Sequence, residues 1–442
     1  MDDKGAARPA AAPREHPSRR ALAGEVHARP YEVLEAPLRA SHLAVLHEPG
    51  WEEGDRQGDP ERDHLARLLA QHGAEPPGEG AIQISRDLGA ARLRYERHTE
   101  FSTYTIYRFD PFDDPFATTA LDPIPADWLR TIPGELIAAV HVAVETEARA
   151  PESLAALFSG NALVGNRVGG NCAEIWTDFR LHADGFGRLL VRNLSLSGGQ
   201  TGRLIQRLLE IETYRLLALM AFPLARRAVA DITALDSAIA GIIDSLADAN
   251  QSGNDRELLD RLTGLAAQAE RLDSATAFRL SAARAYHAIV DQRIAELRGE
   301  RIAGFQTVTE FMERRLAPAM KTCETATERH ATLASRIART SGLLRTRVDI
   351  ALEERNTLLL KSMNRRAQMQ LRLQETVEAL SVAAVSYYLV ALVADAARGL
   401  HAAGLPIDSD ITALISLPII LGGVALGLHR LRRALTSRDG AS

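Results

Sequence analysis

Two uncharged apolar stretches near the C-terminus govern the architecture: ALSVAAVSYYLVALVA (379–394) and ITALISLPIILGGVALGL (411–428). A helix that crosses a bilayer needs about 20 mostly apolar residues, within a range of roughly 17–25. The second stretch meets this length, and the first meets it once Thr376 and Val377 are added. The sequence therefore predicts two transmembrane helices, at 376–396 and 411–428, while two buried core helices are the alternative.

Charges around these stretches predict an orientation. Lys361, Arg365, Arg366 and Arg372 precede the first stretch, and residues 429–442 form a basic tail after the second. The connecting loop contains three aspartates against one arginine. Because Lys and Arg accumulate on the cytoplasmic side, we expect a multi-pass protein of the bacterial inner (plasma) membrane with both termini in the cytoplasm.

Upstream of the membrane segments, residues 198–375 are rich in strong helix formers. We predict helices at 200–221, 223–249, 254–299 and 301–375, which together form a helical bundle and a coiled-coil stalk. In the last of them, small and apolar residues recur in steps of four and three, typical of a multi-helix seam. His330 falls on this seam and is expected to pack there, while Pro318 should kink the helix or end its first section.

Residues 21–197 change character and predict a cytoplasmic α/β domain. Runs with period-two alternation indicate a mainly antiparallel sheet, with shorter helices between strands. The predicted strands are 41–47, 81–86, 90–97, 102–108, 136–144, 161–167, 172–181 and 186–194; the predicted short helices are 60–73, 124–131 and 151–158. The fold class is thus α+β. Residues 1–20 contain no apolar run and are expected to be disordered.

Composition and motifs exclude several functions. Apolar residues make up 46% of the chain and the net charge is −5, so a nucleic-acid partner is not expected. No nucleophile elbow, phosphate loop or zinc-protease motif occurs. Asp178, His182 and Asp184 imitate a metal cluster, but a solvated hairpin tip is the favoured interpretation. We predict no catalytic, cofactor or metal residues, and no enzyme activity.

Four segments carry a resemblance to a known family: EVHARP (25–30), TDFRLHADGFGRLLV (177–191), GRLIQRLLEIETYRLLAL (202–219) and residues 344–388. With them, the chain resembles an uncharacterised bacterial family of predicted membrane-anchored proteins, a domain of unknown function. The resemblance covers nearly all of the chain after its start and implies membrane anchoring. It implies no reaction and leaves the role of EVHARP open.

The architecture is also similar to that of CorA-type magnesium channels, which are pentamers with a cytoplasmic α/β domain and two C-terminal spans. Their Gly-Met-Asn motif at the outer end of the first span is absent here, where residues 393–400 read VADAARGL. In an oligomer of this kind, Ser381, Tyr388 and Asp395 would share one face of the first span and are the candidate pore-lining residues. Helix packing by Ser381 and Tyr388, with Asp395 as an interfacial flank, is the alternative.

Two functions follow as hypotheses. The first is a CorA-like homo-oligomer that conducts or senses cations, with Asp395 forming an acidic ring at the pore mouth. The second is a non-transporting inner-membrane scaffold or regulator whose cytoplasmic α/β domain binds a protein partner. In both, the lipid bilayer is a partner.

Overall fold

The computed structural model describes residues 15–19, 22–23, 31–47, 59–247, 255–404 and 408–436. The EVHARP segment and most of the predicted disordered start lie outside these residues. The chain divides into two compact units, one comprising residues up to 252 together with 257–341, the other residues 253–256 and 342–442. The domain boundaries drawn from the sequence remain predictions.

A nine-stranded sheet forms the centre of the first unit. Its strands are β1 Leu38–Leu46, β2 Gln83–Asp87, β3 Arg92–Arg97, β4 Phe101–Arg108, β5 Glu135–Glu145, β6 Val164–Val168, β7 Ala173–Thr177, β8 Gly187–Asn193 and β9 Glu300–Arg301. They are arranged in the order β2-β3-β4-β1-β5-β8-β7-β6-β9. Among the described residues, β5 and β8 are the only neighbouring strands that pair in parallel; the other neighbouring pairs of the sheet are antiparallel. This confirms the predicted mainly antiparallel sheet.

Helices cover both faces of the sheet, because alternate side chains of each strand point to opposite sides. The short helices α1 (Pro60–Gln71), α2 (Ala126–Arg130) and α3 (Pro151–Leu157) contribute apolar side chains to one face. The long helix α4 (Gly198–Leu219) contributes Leu204, Ile205 and Leu208 to the core of the other face.

Two glycines let the segment before β1 cross α4 at very short range. The amide of Leu34 donates a hydrogen bond to the carbonyl oxygen of Gly198 at 3.0 Å. One turn further along, a Cβ atom at Gly202 would lie 1.7 Å from the carbonyl oxygen of Glu32. This backbone contact leaves no room for any side chain at position 202.

The remaining helices of this unit differ from prediction at one point. Helices α5 (Ala221–Ala247) and α6 (Asp255–Leu297) agree with the sequence interpretation. The helix predicted at 301–375 was wrong at its start, because β9 and a loop occupy residues 300–307 and a separate helix, α7 (Val308–Arg315), follows. Thr307 and Glu310 form a capping box that begins α7, which is a local signal the periodicity masks.

Helix α8 (Ala317–Ala402) is a continuous helix of 86 residues. Pro318 is its second residue, a position where the missing amide hydrogen costs no helical hydrogen bond. His330 packs as predicted, with Nε2 3.0 Å from the carbonyl oxygen of Ala269 and Nδ1 3.2 Å from Asp273. The seam therefore continues the core of the first unit rather than forming a free coiled coil at this end.

Burial along α8 changes abruptly in the second unit. Every residue from 352 to 377 is exposed. Large apolar side chains are among them: Leu352, Leu358, Leu359, Leu360, Met363, Met369, Leu371, Leu373 and Val377. After a short connection, helix α9 (Ser409–Thr436) follows.

In the part of the chain that the structure describes, two helical segments are long and apolar enough to cross a membrane, Val308–Ala402 (α7 together with α8) and Asp410–Gly427. Only 6% of the most apolar window of the first is buried inside the protein, and none of the second. A core helix of a soluble protein would have most of such a window buried, so this low burial argues against the alternative of two core helices.

The close approach at α4 predicts opposite effects for two glycine substitutions. Gly202→Ala should lower the free energy of unfolding by about 1–3 kcal/mol, because the new methyl group collides with the Glu32 backbone. Gly241→Ala in α5 has open space around its Cβ position and should raise stability by about 0.5–1 kcal/mol through helix propensity. Chemical denaturation of the detergent-solubilised protein measures both, and equal effects at the two sites would contradict the packing.

Candidate functional site

The three candidate pore-lining residues lie on one stripe of α8, because each follows the previous one by seven residues, close to two helical turns. All three side chains are exposed. Ser381 Oγ donates a hydrogen bond to the carbonyl oxygen of Val377 at 2.9 Å. The Tyr388 ring contacts the edge of Tyr387, with centroids 5.9 Å apart. Their pore-lining role remains a prediction.

This stripe lies away from the face of α8 that the chain itself buries. Ser386 and Ala397 are only 2% and 3% exposed. At 100° per residue they lie roughly 140–200° around the helix axis from Ser381, Tyr388 and Asp395. The stripe is thus available to lipid or to another polypeptide chain.

Asp395 already has a partner within α8. A guanidinium nitrogen of Arg398, three residues further along, donates a hydrogen bond to Asp395 Oδ1 at 2.6 Å. Residues three apart face each other on a helix, so this pair forms from local geometry alone. An acidic ring built from Asp395 would carry these arginines beside it, which reduces its attraction for cations.

A pocket opens between the sheet and α4 in the first unit. Its cavity volume is about 60 Å³, room for a few water molecules and well below the roughly 300–1,000 Å³ of small-molecule sites. Its polar lining comprises Glu32, His42, Arg94, Glu96, His98, Thr103, Thr105, Gln206, Glu210 and Thr213. Its remaining walls are Phe101, Tyr107, Gly202, Leu209 and Tyr214.

Strand alternation explains why this part of the sheet is polar. On β3, Arg94 and Glu96 line the pocket, whereas Leu93 and Tyr95 belong to the apolar core on the opposite face. Polar side chains therefore accumulate under α4 at the β3–β4 end of the sheet.

His42 forms part of the pocket floor and joins the sheet to α4. Its Nδ1 lies 2.8 Å from the Thr105 hydroxyl on β4, and its Nε2 lies 3.1 Å from the Thr213 hydroxyl on α4. Burial, together with the positive charges of His98 and Arg94, lowers the pKa of His42 to about 3. His42 is thus a neutral hydrogen-bonding group at any physiological pH.

Arg94 is held by two carboxylates of the same pocket. It donates to Glu96 at 2.8 Å, and it lies 3.7 Å from Glu32. Burial opposes its charge, yet the hydrogen bond to Glu96 and the surrounding negative charges raise the pKa of Arg94. Its guanidinium is therefore a fixed positive charge that contacts two carboxylates.

The sequence interpretation of Asp178 and His182 was wrong, because the structure buries both side chains instead of exposing them at a hairpin tip. His182 Nε2 lies 3.1 Å from Asp178 Oδ2, with side-chain exposures of 4% and 0%. The side chain of Asn161 also donates to Asp178, at 2.8 Å. In the part of the chain that the structure describes, no group of three His, Cys, Asp or Glu residues has the geometry to hold a metal ion.

One further arrangement has the composition of a hydrolase triad. Ser41 Oγ and His141 Nδ1 are 2.8 Å apart, and His141 Nε2 lies 3.8 Å from Asp184. Ser41 is fully buried within the central strand β1, so a substrate cannot reach its hydroxyl in this conformation. The arrangement is structural in form, with the ring of His141 stacked on Phe186 at 4.1 Å.

Sequence reasoning missed the pocket, because its residues come from β1, β3, β4 and α4, which are far apart in the chain. The only local signal was polar alternation in the run LRYERH (93–98), which departs from the apolar alternation of the other strands. That signal alone does not identify which helix covers the polar face.

Protonation of His42 predicts a pH-dependent stability term. The pKa of His42 is lower in the folded than in the unfolded protein. The stabilisation of the folded state by neutral His42 is therefore fully present above pH 6.5 and is lost as the pH falls below that value. The stability difference between wild type and His42→Gln should narrow by about 2 kcal/mol from pH 7.5 to pH 5. Urea denaturation at both pH values measures it; a constant difference would contradict a neutral buried His42.

Comparison with protein families identifies the chain. A model of the family described as "Protein of unknown function (DUF3422)" matches residues 14–435, and no curated protein matches the chain. The match includes most of both units and all four segments that carry the family resemblance. The chain therefore belongs to the DUF3422 family of proteins of unknown function.

Proposed function

We propose that this chain is a membrane-anchored protein that crosses the bilayer twice and assembles with other copies of itself around α8. The observation that carries the proposal is the continuous exposure of α8 from residue 352 to 377. A lone helix with this many exposed apolar side chains is unfavourable in water, since each large one gains about 1.5–3 kcal/mol on burial. Lipid can cover the apolar windows of α8 and α9 but not this preceding segment.

Once the chain is inserted in a membrane, a second copy can pack against the exposed apolar side chains of residues 352–377. Copies inserted with the same orientation hold identical residues at the same depth, which aligns their α8 helices in parallel and in register. Leu352, Leu359, Leu373 and Leu380 follow a heptad row on this helix, and all four are exposed. Such a row is typical of helices that pack along their length.

Arg366 occupies the remaining position of the same row. In a tight two-stranded coil, two guanidinium groups would meet at the axis, and their repulsion would destabilise the dimer. A wider ring of helices leaves room for water and counter-ions between them. We therefore favour an oligomer larger than a dimer.

The more specific version of this proposal is that the oligomer conducts or senses cations. Ser381, Tyr388 and Asp395 lie about 60–100° around the helix from the leucine row, so a conducting ring requires α8 to be turned within the membrane until this stripe faces the axis. The alternative is a non-transporting inner-membrane scaffold or regulator whose sheet domain binds a partner. The Asp395–Arg398 pair favours this alternative, because it compensates the charge that a cation path would need. Neither form assigns a catalytic step to the chain.

Cysteine cross-linking tests the oligomer. The native cysteines, Cys172 and Cys323, are both free thiols and are replaced by serine. With a short bismaleimide in native membranes, Leu359→Cys should give covalent multimers. Lys361→Cys is the matched control, because this position lies roughly 200° around the helix axis from Leu359. It should give far fewer covalent multimers. Equal cross-linking at both positions would contradict packing through the leucine row.

Ion flux separates the two forms of the proposal. If the oligomer conducts cations, purified protein in liposomes should pass them, and Asp395→Ala should reduce the flux by removing the carboxylates at the pore mouth. Arg398→Ala is the opposite control, since it frees those carboxylates and should increase cation flux. Flux that is absent, or insensitive to both substitutions, would contradict conduction and leave the scaffold form.

A further inference from the structure

Arg366 interrupts the leucine row of α8 and has no partner within the described chain. Its side chain is exposed, and among the residues that the structure describes it has neither an ion pair nor a hydrogen bond. Leu359 and Leu373 lie one heptad before and after it, each about 10 Å away along the helix. A cation is therefore placed between two apolar positions, on the face that the proposed oligomer buries.

This part of α8 offers no carboxylate that could compensate the charge. Residues 355–374 include five basic side chains and no acidic one: Arg355, Lys361, Arg365, Arg366 and Arg372. The carboxylates that flank the segment, Glu354 and Glu375, are about 18 Å and 14 Å from Arg366 along the helix. Both distances exceed the Debye length of about 8 Å at physiological salt, so these carboxylates barely influence the Arg366 guanidinium.

In an oligomer, Arg366 becomes a ring of positive charges. This step rests on the proposed function, in which the α8 helices of all copies are parallel and in register. Every copy then holds its Arg366 at the same height, and the neighbouring helices present the same carboxylate-free segment beside it. The leucine layers above and below reduce the access of water, which strengthens the repulsion between the guanidinium groups. An anion on the axis relieves a repulsion that no side chain of this segment can relieve.

The guanidinium group selects the chemistry of that anion. Its planar fork of N–H donors matches pairs of oxygen atoms on phosphate groups. Because several forks converge on one axis, an anion with several oxygens and at least two negative charges can contact several copies at once. Arg366 precedes the start of the predicted first span, at residue 376, by about 15 Å. The headgroup layer is only about 5–8 Å thick, so a soluble phosphate compound is favoured over a lipid headgroup.

We propose that the ring of Arg366 side chains binds one soluble, multiply charged phosphate anion on the axis of the oligomer, and that this anion stabilises the assembly. The juxtaposition of an unpaired arginine, two flanking leucines and a segment without carboxylates carries the proposal. A positive ring on the axis repels cations, so this site favours the scaffold or regulator form. The concentration of the anion then regulates how far the chain assembles.

Dissociation of the oligomer tests the proposal, with pyrophosphate as the probe. Full-length protein in detergent is diluted into pyrophosphate or chloride at equal ionic strength, and the oligomer fraction is measured by mass photometry. Pyrophosphate should lower the protein concentration of half-dissociation at least about tenfold, because a ligand that binds only the assembled state stabilises it by mass action. Equilibrium dialysis with radiolabelled pyrophosphate should give one bound anion per oligomer rather than one per chain.

Variants of two adjacent arginines locate the binding. Arg366→Gln should abolish both pyrophosphate binding and its effect on dissociation. Arg366→Leu completes the leucine row, so its oligomer should be more stable than wild type in chloride and insensitive to pyrophosphate, a gain that misfolding cannot produce. Arg365→Gln is the matched control, because it removes the same charge about 100° around the helix axis from Arg366. It should retain binding and stabilisation.

The outcomes distinguish this site from the oligomer itself. Absence of covalent multimers with Leu359→Cys would contradict the oligomer, and the ring with it. Multimers that neither bind pyrophosphate nor gain stability from it would overturn the ring alone, as would equal effects of Arg365→Gln and Arg366→Gln. In nanodiscs, stability that follows the content of anionic lipid rather than added pyrophosphate would overturn a soluble ligand.

Discussion

Exposed apolar surface on α8 and α9 is the constraint on which the rest of the structure depends. The first unit buries its own apolar side chains between sheet and helices, as a water-soluble domain does. In the second unit the most apolar windows are almost entirely uncovered by the chain itself. The free energy of the isolated chain in water is therefore high. Lipid around the apolar windows and neighbouring copies along residues 352–377 are the two covers that the proposal supplies.

In the first unit, polar side chains are buried and stabilised by partners within the chain. Its sheet has an apolar face toward α1 and α2, while its β3–β4 end is polar under α4. Polar groups in such a position need partners, and most have them: His42 bridges two threonines, and Arg94 contacts two carboxylates. The narrow crossing at Gly202 fixes α4, and hence the pocket, against the segment before β1.

The sequence predicted the secondary structure and architecture more accurately than the geometry of the candidate sites. Alternation of apolar residues predicted all eight long strands, since each strand buries at least one face. The steps of four and three predicted a multi-helix seam, and at the start of α8 that seam is part of the core of the first unit. The two-residue strand β9 was missed because it is held by Asn166 and its neighbours across the sheet, which no local pattern encodes. Burial of Asp178 and His182 was missed for the same reason: Phe158 and Asn161, from another part of the chain, cover them. Site geometry depends on such long-range contacts, so a single sequence does not reveal it.

Reporter fusions measure the central claim most directly. A fluorescent protein joined after Ser442 should fluoresce on the cytoplasmic side, and alkaline phosphatase at the same position should be inactive. A reporter inserted after Gly404, in the connection between α8 and α9, should give the reverse pattern, since the basic flanks hold both ends inside. Periplasmic activity of phosphatase at Ser442, or identical behaviour at the two positions, would contradict a chain that crosses the bilayer twice.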